Sequence, residues 1–146
     1  MIGRLIGIDH GLSRIGIAVS DASGIVAREL IIIQRASKAE DFQKINQIAR
    51  EENAIAFVVG IPHTVEAPEG SFTQADKVRN WIRYFAEATD LPIVEWDEQL
   101  SSDDAREIAR LQKRPVEAHI DDLAARVILQ SYLDALNDGL APPPIR

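Results

Sequence analysis

"RLIGIDHGLSRIGIAVSDASGIVARELIIIQ", residues 4–34, holds three β-rich runs divided by two short breaks. The runs are 4–10, 14–21 and 24–34, rich in isoleucine and valine; Gly11 and Ser13 mark the first break and Ser23–Gly24 the second. Breaks this short can only join neighbours that run in opposite directions, so the spacing predicts an antiparallel meander. Such a sheet must bury its apolar surface, and its cover has to come from the rest of the chain.

Downstream, the period changes from two to about 3.6. Ser37 and Glu40 have capping-box spacing, and Phe42, Ile45, Ile48 and Ala49 follow at helical intervals. "AIAFVVGIP" (54–62) is continuously apolar, the pattern of a strand covered on both faces. A polar loop with Pro68 and Gly70 leads to a helix from about Thr73, with Ala75, Val78, Ile82, Phe85 and Ala86 inward. "LPIVEW" (91–96) predicts a fifth strand, 101–113 a short helix stopped before Pro115, and 119–137 a last helix. The order β-β-β-α-β-α-β-α-α predicts an α/β fold: one mixed sheet with helices on both faces, in a single domain over 1–138 with an extended tail over 139–146.

At 146 residues, with 46% hydrophobic and 27% charged, the chain can build one well-developed core. No window approaches the roughly 18 apolar residues of a membrane span, and "MIGRLIGIDHG" reads as a strand rather than a signal peptide. With no cysteine, disulfides and thiolate metal sites are excluded, and a cytoplasmic location is expected. The net charge of −7 argues against nucleic-acid binding by bulk electrostatics. It leaves room for a site where metal ions supply the positive charge.

Three carboxylate positions stand out. In "HIDDLAARVILQSYLD" (119–134), stepping round the helix at roughly 100° per residue puts Asp121 in the apolar arc of Ala124, Ala125, Ile128, Tyr132 and Leu136. Asp122 falls at the polar margin and is expected to be a solvated first-turn acid. A buried Asp121 then requires a partner: an arginine, a helix N-terminus or a metal. Asp9 lies at the end of a core-like strand, where it either begins a turn or faces a site. Asp97, Glu98, Asp103 and Asp104 crowd one junction, and composition does not choose among them. Should three such acids converge, they need a hard, oxygen-loving cation, Mg²⁺ or Mn²⁺, in the manner of two-metal phosphodiesterases.

"GIDHGLSRIGIAVSD" (7–21), "VVGIP" (58–62), "QADKVRNWI" (74–82), "DEQLSS" (97–102) and "IDDLAARVILQSYLD" (120–134) together resemble the YqgF/RuvX family. Its members are described as candidate Holliday-junction resolvases or pre-16S rRNA nucleases with a ribonuclease H-like fold. The resemblance implies three antiparallel strands flanked by two parallel ones. It implies Asp9, Glu98 and Asp121 as catalytic and metal-binding acids for two ions, and Arg14 as a group that counters the acids or touches a phosphate; a surface strand-end arginine is the equal alternative. Expected partners are structured RNA, ribosomal precursor particles or branched DNA, with no membrane; cutting a four-way junction would require a homodimer.

Gln99 stands where the family pattern has arginine, and "KRPVEAH" is poorer in lysine than its counterparts. Arg106 and Arg110, four apart, lead with Lys113 and Arg114 into a basic stripe that is either a substrate contact or a solvated face paired with Asp103 and Glu107. His10 is expected to point away from the acids. Two rival readings are a nucleic-acid-binding protein of this fold with weak turnover, and a nucleotide-binding module sharing the Asp-x-Gly-x-x-Arg hairpin. The second is disfavoured because the chain is too short for two lobes.

Overall fold

The computed structural model describes residues 3–62, 69–97, 101–115 and 118–144. Five strands, β1 (Arg4–His10), β2 (Arg14–Ser20), β3 (Ala27–Gln34), β4 (Ala54–Ile61) and β5 (Ile93–Asp97), form one sheet in the order β3-β2-β1-β4-β5. β1 pairs antiparallel with β2, and β2 with β3; β4 runs parallel to both β1 and β5. The four helices are α1 (Lys38–Glu51), α2 (Gln74–Ala88), α3 (Ser101–Leu111) and α4 (Asp121–Asn137).

The two faces of the sheet carry side chains of different size, and this sets how each is covered. Ile6, Ile8, Ile15, Ile17, Val19, Phe57 and Val59 project toward α1 and α2, where Phe42, Trp81 and Phe85 stack in a tilted aromatic cluster. The opposite face presents Leu5, Gly7, Ala18, Ala56 and Val58, mostly small. There α4 lies close against the strands: a β-carbon at Gly7 would fall 2.7 Å from Leu129 Cβ and 2.9 Å from the Ala125 carbonyl oxygen. α3 does not reach the sheet face but packs on α4 through Ala105, Ala109, Leu123 and Ala124.

Local details differ from the sequence expectation in instructive ways. Ser37 caps α1 by accepting from the Glu40 N–H, but the return contact comes from buried Asp41, whose Oδ1 accepts from the Ala36 N–H at 3.0 Å. Thr73 and Asp76 form a full capping box on α2. In that helix Trp81 takes the inward place expected for Ala86, which is exposed. The start of the C-terminal tail is docked: Tyr132 Oη donates to the Pro142 carbonyl at 2.7 Å, and Ala141 packs beside it.

Candidate active site

Strand alternation places the first acid. Because Leu5 and Gly7 face α4 while Ile6 and Ile8 face α1 and α2, the period of two sends Asp9 to the α4 side. Its cross-strand partner is Gly16, and a β-carbon on Gly16 would fall 1.8 Å from the Asp121 carbonyl oxygen. The first turn of α4 therefore rests on the bare backbone of β2, beside Asp9. The Asp121 carboxylate leans over the hairpin, with Oδ1 3.5 Å from where a β-carbon of Gly11 would lie. Arg14 Nε donates to Asp121 Oδ2 at 3.1 Å, so the partner this half-buried acid requires is an arginine from β2.

Asp122 is not the solvated acid that the helical phase predicts. It is buried, and Arg114 grips it with both arms: Nη1 donates to Oδ1 at 3.0 Å and Nη2 to Oδ2 at 3.1 Å. A one-arc projection misplaces it because α4 has two neighbours, the sheet on one side and α3 on the other. Leu123 and Ala124 accordingly face α3, while Ala125, Ile128 and Leu129 face the sheet. Arg114 reaches Asp122 because α3 ends in a tight reversal. The Arg114 N–H donates to the Ala109 carbonyl at 2.9 Å, and Lys113 between them takes φ +59°, the left-handed conformation that usually favours glycine. The hydrogen bonds that Arg114 donates to Asp122 raise the Arg114 pKa further above its already high value.

Between α3, the hairpin and the head of α4 opens a cleft of about 550 Å³ lined by Arg14, Arg106, Arg110, Arg114, His119 and Asp121. The arginines expected to touch substrate thus share one concavity with Asp121, joined by Arg114. Arg110 also hydrogen-bonds Glu107, and both are exposed. Nearby, Glu29 of β3 accepts from Arg126 at 3.0 Å and from Gln112 Nε2 at 3.3 Å. Burial alone would raise the Glu29 pKa, but the Arg126 hydrogen bond holds it below the usual carboxylate range.

His10 points away from these acids. Its ring lies 4.7 Å from that of Trp81 on the opposite face of the sheet, and burial, reinforced by the positive charge of Arg35, pushes its pKa down to about 4. Asp97 also belongs to that opposite side by strand alternation, because Ile93 packs with the α1 and α2 cluster while Val94 and Trp96 pack with the α4 cluster. Glu98 lies outside the described residues. Among the described residues, no three histidine, aspartate or glutamate side chains gather closely enough to hold a metal ion. Asp9 and Asp121 nonetheless supply hard oxygen donors on one face, the chemistry that suits Mg²⁺ or Mn²⁺.

Sequence reasoning placed Arg14, Arg106 and Arg110 among the candidates. It treated Arg114 only as part of a stripe and gave Arg35 no role. Nothing in the local pattern signals Arg35, whose guanidinium reaches back to the carbonyls of Gly11 and Leu12.

Residues 3–135 match the family model described as "RuvX: Holliday junction resolvase". A candidate pre-16S rRNA nuclease of Thermoanaerobacter pseudethanolicus is 37% identical over 139 residues, covering 90% of this chain and 96% of the relative. Another from Synechococcus sp. (strain JA-2-3B'a(2-13)) is 39% identical, covering 95% of this chain and 82% of the relative. The structure of Thermus thermophilus RuvC in complex with Holliday junction substrate superposes with a TM-score of 0.64 at 14% identity, covering 98% of this chain and 99% of that one. The Fowlpox virus resolvase bound to junction DNA gives 0.53 at 11% identity, covering 91% and 98%. These structures establish the shared ribonuclease H-like fold.

Proposed function

Because the chain belongs to the RuvX family, we propose that it hydrolyses phosphodiester bonds of nucleic acid with the help of divalent cations, Mg²⁺ or Mn²⁺. The observation that carries this reading is the seating of Asp121 on Gly16, directly beside Asp9, at the mouth of an arginine-lined cleft. Asp9, Asp121 and Glu98 are the proposed metal ligands. Of the two adjacent acids, Asp97 lies on the α2 side by the alternation of β5, and the family pattern in "DEQLSS" supports Glu98 as the third acid. Asp9, Glu98 and Asp121 would hold such cations, which when bound would supply Lewis-acid activation of water and offset negative charge at the phosphate.

The chain's own residues do the rest. Arg14, which pairs with Asp121 and lines the cleft, is placed to bind a phosphate oxygen of the substrate. Arg106 and Arg110 line the path of the backbone, offsetting locally the net charge of −7. Arg114, occupied by Asp122, holds the head of α4 in place.

The substrate we favour is the 5′ end of the small-subunit rRNA precursor, by likeness to the relatives, with maturing ribosomal particles as the setting and the cytoplasm as the place. The family description supports four-way DNA junctions as a second reading, which would require a two-fold homodimer to cut paired strands. Incubation with precursor RNA and with a synthetic junction, with and without Mn²⁺, tests both. Metal-dependent RNA cleavage with an intact junction is expected; no cleavage of either would sink the reading. Calorimetry should show Mn²⁺ binding that is lost in Asp9→Asn and Asp121→Asn.

A further inference from the structure

The β1–β2 turn is Gly11–Leu12–Ser13–Arg14, closed by the Gly11 N–H donating to the Arg14 carbonyl at 2.9 Å. Two-residue hairpin loops favour glycine or asparagine, which supply positive φ at the tip. Leu12 and Ser13 supply none: the positive-φ residues other than glycine among those described are Asn53 and Lys113. The turn is held instead by Gln34 at the end of β3 and by Arg35 just beyond it. Arg35 Nη1 donates to the carbonyls of Gly11 at 2.9 Å and Leu12 at 3.0 Å. The Arg35 N–H donates to Ser13 O at 2.9 Å, and Gln34 Nε2 to the same oxygen at 3.3 Å. Three successive carbonyls are thus fixed by groups that the turn itself does not contain.

On this clamped tip the Leu12 side chain is 74% exposed. A lone exposed leucine needs no explanation by itself. Leu12 differs in where it stands and how firmly. It follows Gly11, which touches the space of the Asp121 carboxylate, and lies two residues before Arg14, which pairs with it. Its surroundings suit one class of partner: arginines of the cleft attract a phosphate backbone, and a rigid apolar tip beside them meets what the backbone carries, the flat face of a base.

We propose that Leu12 is a wedge that packs against the base of the nucleotide flanking the scissile phosphate and selects sites where that base is unpaired or easily unstacked. The proposal rests on the nuclease reading above. Leu12 offers no hydrogen bond, so its contact ignores base identity and responds to pairing state. Displacing a stacked, paired base is unfavourable, so paired sites are disfavoured even where their phosphates fit the cleft.

The test uses the full chain and an RNA hairpin with a single-stranded extension, carrying 2-aminopurine at the first unpaired nucleotide, beside a fully paired counterpart. Wild type should brighten the probe on binding in EDTA at low salt. With Mn²⁺ it should cleave the unpaired site about tenfold faster than the paired one. Leu12→Ala and Leu12→Lys should melt like wild type and bind Mn²⁺ equally in calorimetry. Both should lose the fluorescence rise and bring the cleavage ratio close to one, Leu12→Lys while retaining RNA affinity through its added charge. Full brightening and an unchanged ratio in both variants would overturn the wedge and leave the nuclease reading intact. Absence of Mn²⁺-dependent cleavage by wild type would overturn both.

Discussion

Asp121 and Gly16 occupy what would be the same space: a β-carbon on the glycine would lie 1.8 Å from the aspartate's carbonyl oxygen and 2.2 Å from its carbonyl carbon. The clash would be with backbone, which cannot swing aside as a side chain can. Gly16→Ala should therefore push the head of α4 off the sheet, at a stability loss of roughly 3 kcal/mol. Chemical denaturation checks the loss. Mn²⁺ calorimetry on the folded fraction should show weakened binding, since Asp121 moves away from Asp9.

Arg114 and Asp122 form a two-armed ion pair with little water around it. Arg114→Met should lose about 3 kcal/mol, because the carboxylate stays buried without its partner. The double variant Arg114→Met/Asp122→Leu should recover much of that loss. A cycle of urea melts measures the coupling, and near-additive losses would contradict the pairing.

Arg14 competes with any cation for the Asp121 carboxylate. Arg14→Gln should tighten Mn²⁺ binding about threefold, the scale expected for a partly exposed ion pair, while weakening RNA binding. Opposite signs in the two titrations are the signature; losses in both would mean that Arg14 supports the site rather than shields it.

His10 makes stability depend on acidity. Its folded pKa of about 4 lies below the ordinary 6.5, so the fold favours the neutral ring and the unfolded chain binds the extra proton first. The fold's advantage is complete above about pH 6.5 and shrinks as the pH falls toward 4, by about 3 kcal/mol in all. His10→Leu should flatten that part of the profile, as measured by denaturant melts at pH 7 and pH 4.5.

Arg106 and Arg110 line the cleft beside Asp121, where their charges face the proposed path of the phosphate backbone. Replacing either with alanine should reduce the slope of log affinity against log salt by about one. Melting temperature should barely change. An unchanged slope would return both residues to a solvated face.

The element order was legible because it depends on local period and on breaks such as Gly11–Ser13 and Ser23–Gly24. Ser37 announced its helix for the same reason, since capping acts over three residues, whereas the Thr73–Asp76 box emerges only in the structure. Asp9 and Asp121 could be singled out as acids in apolar settings. Asp122 could not be placed, because its burial depends on α3 crossing α4 and on the reversal at Lys113 that returns Arg114. Arg35 was equally silent, its role consisting of contacts to a turn more than 20 positions away in the chain. Asp97 and Glu98 are adjacent acids that composition does not separate; only the alternation of β5, with Ile93 on one side and Val94 and Trp96 on the other, turns Asp97 away from the face of Asp9.

The Gly16 seat has a further consequence in time. The sheet face that carries Asp9 is finished by residues 4–61 and the edge strand β5, yet its cover and second carboxylate come from α4. A chain growing from its N-terminus therefore completes a shallow, glycine-floored trough before the helix that covers it has been made. The two carboxylates proposed for the hydrolytic centre come together only when the last helix docks, so assembly of the proposed site waits on the end of the chain.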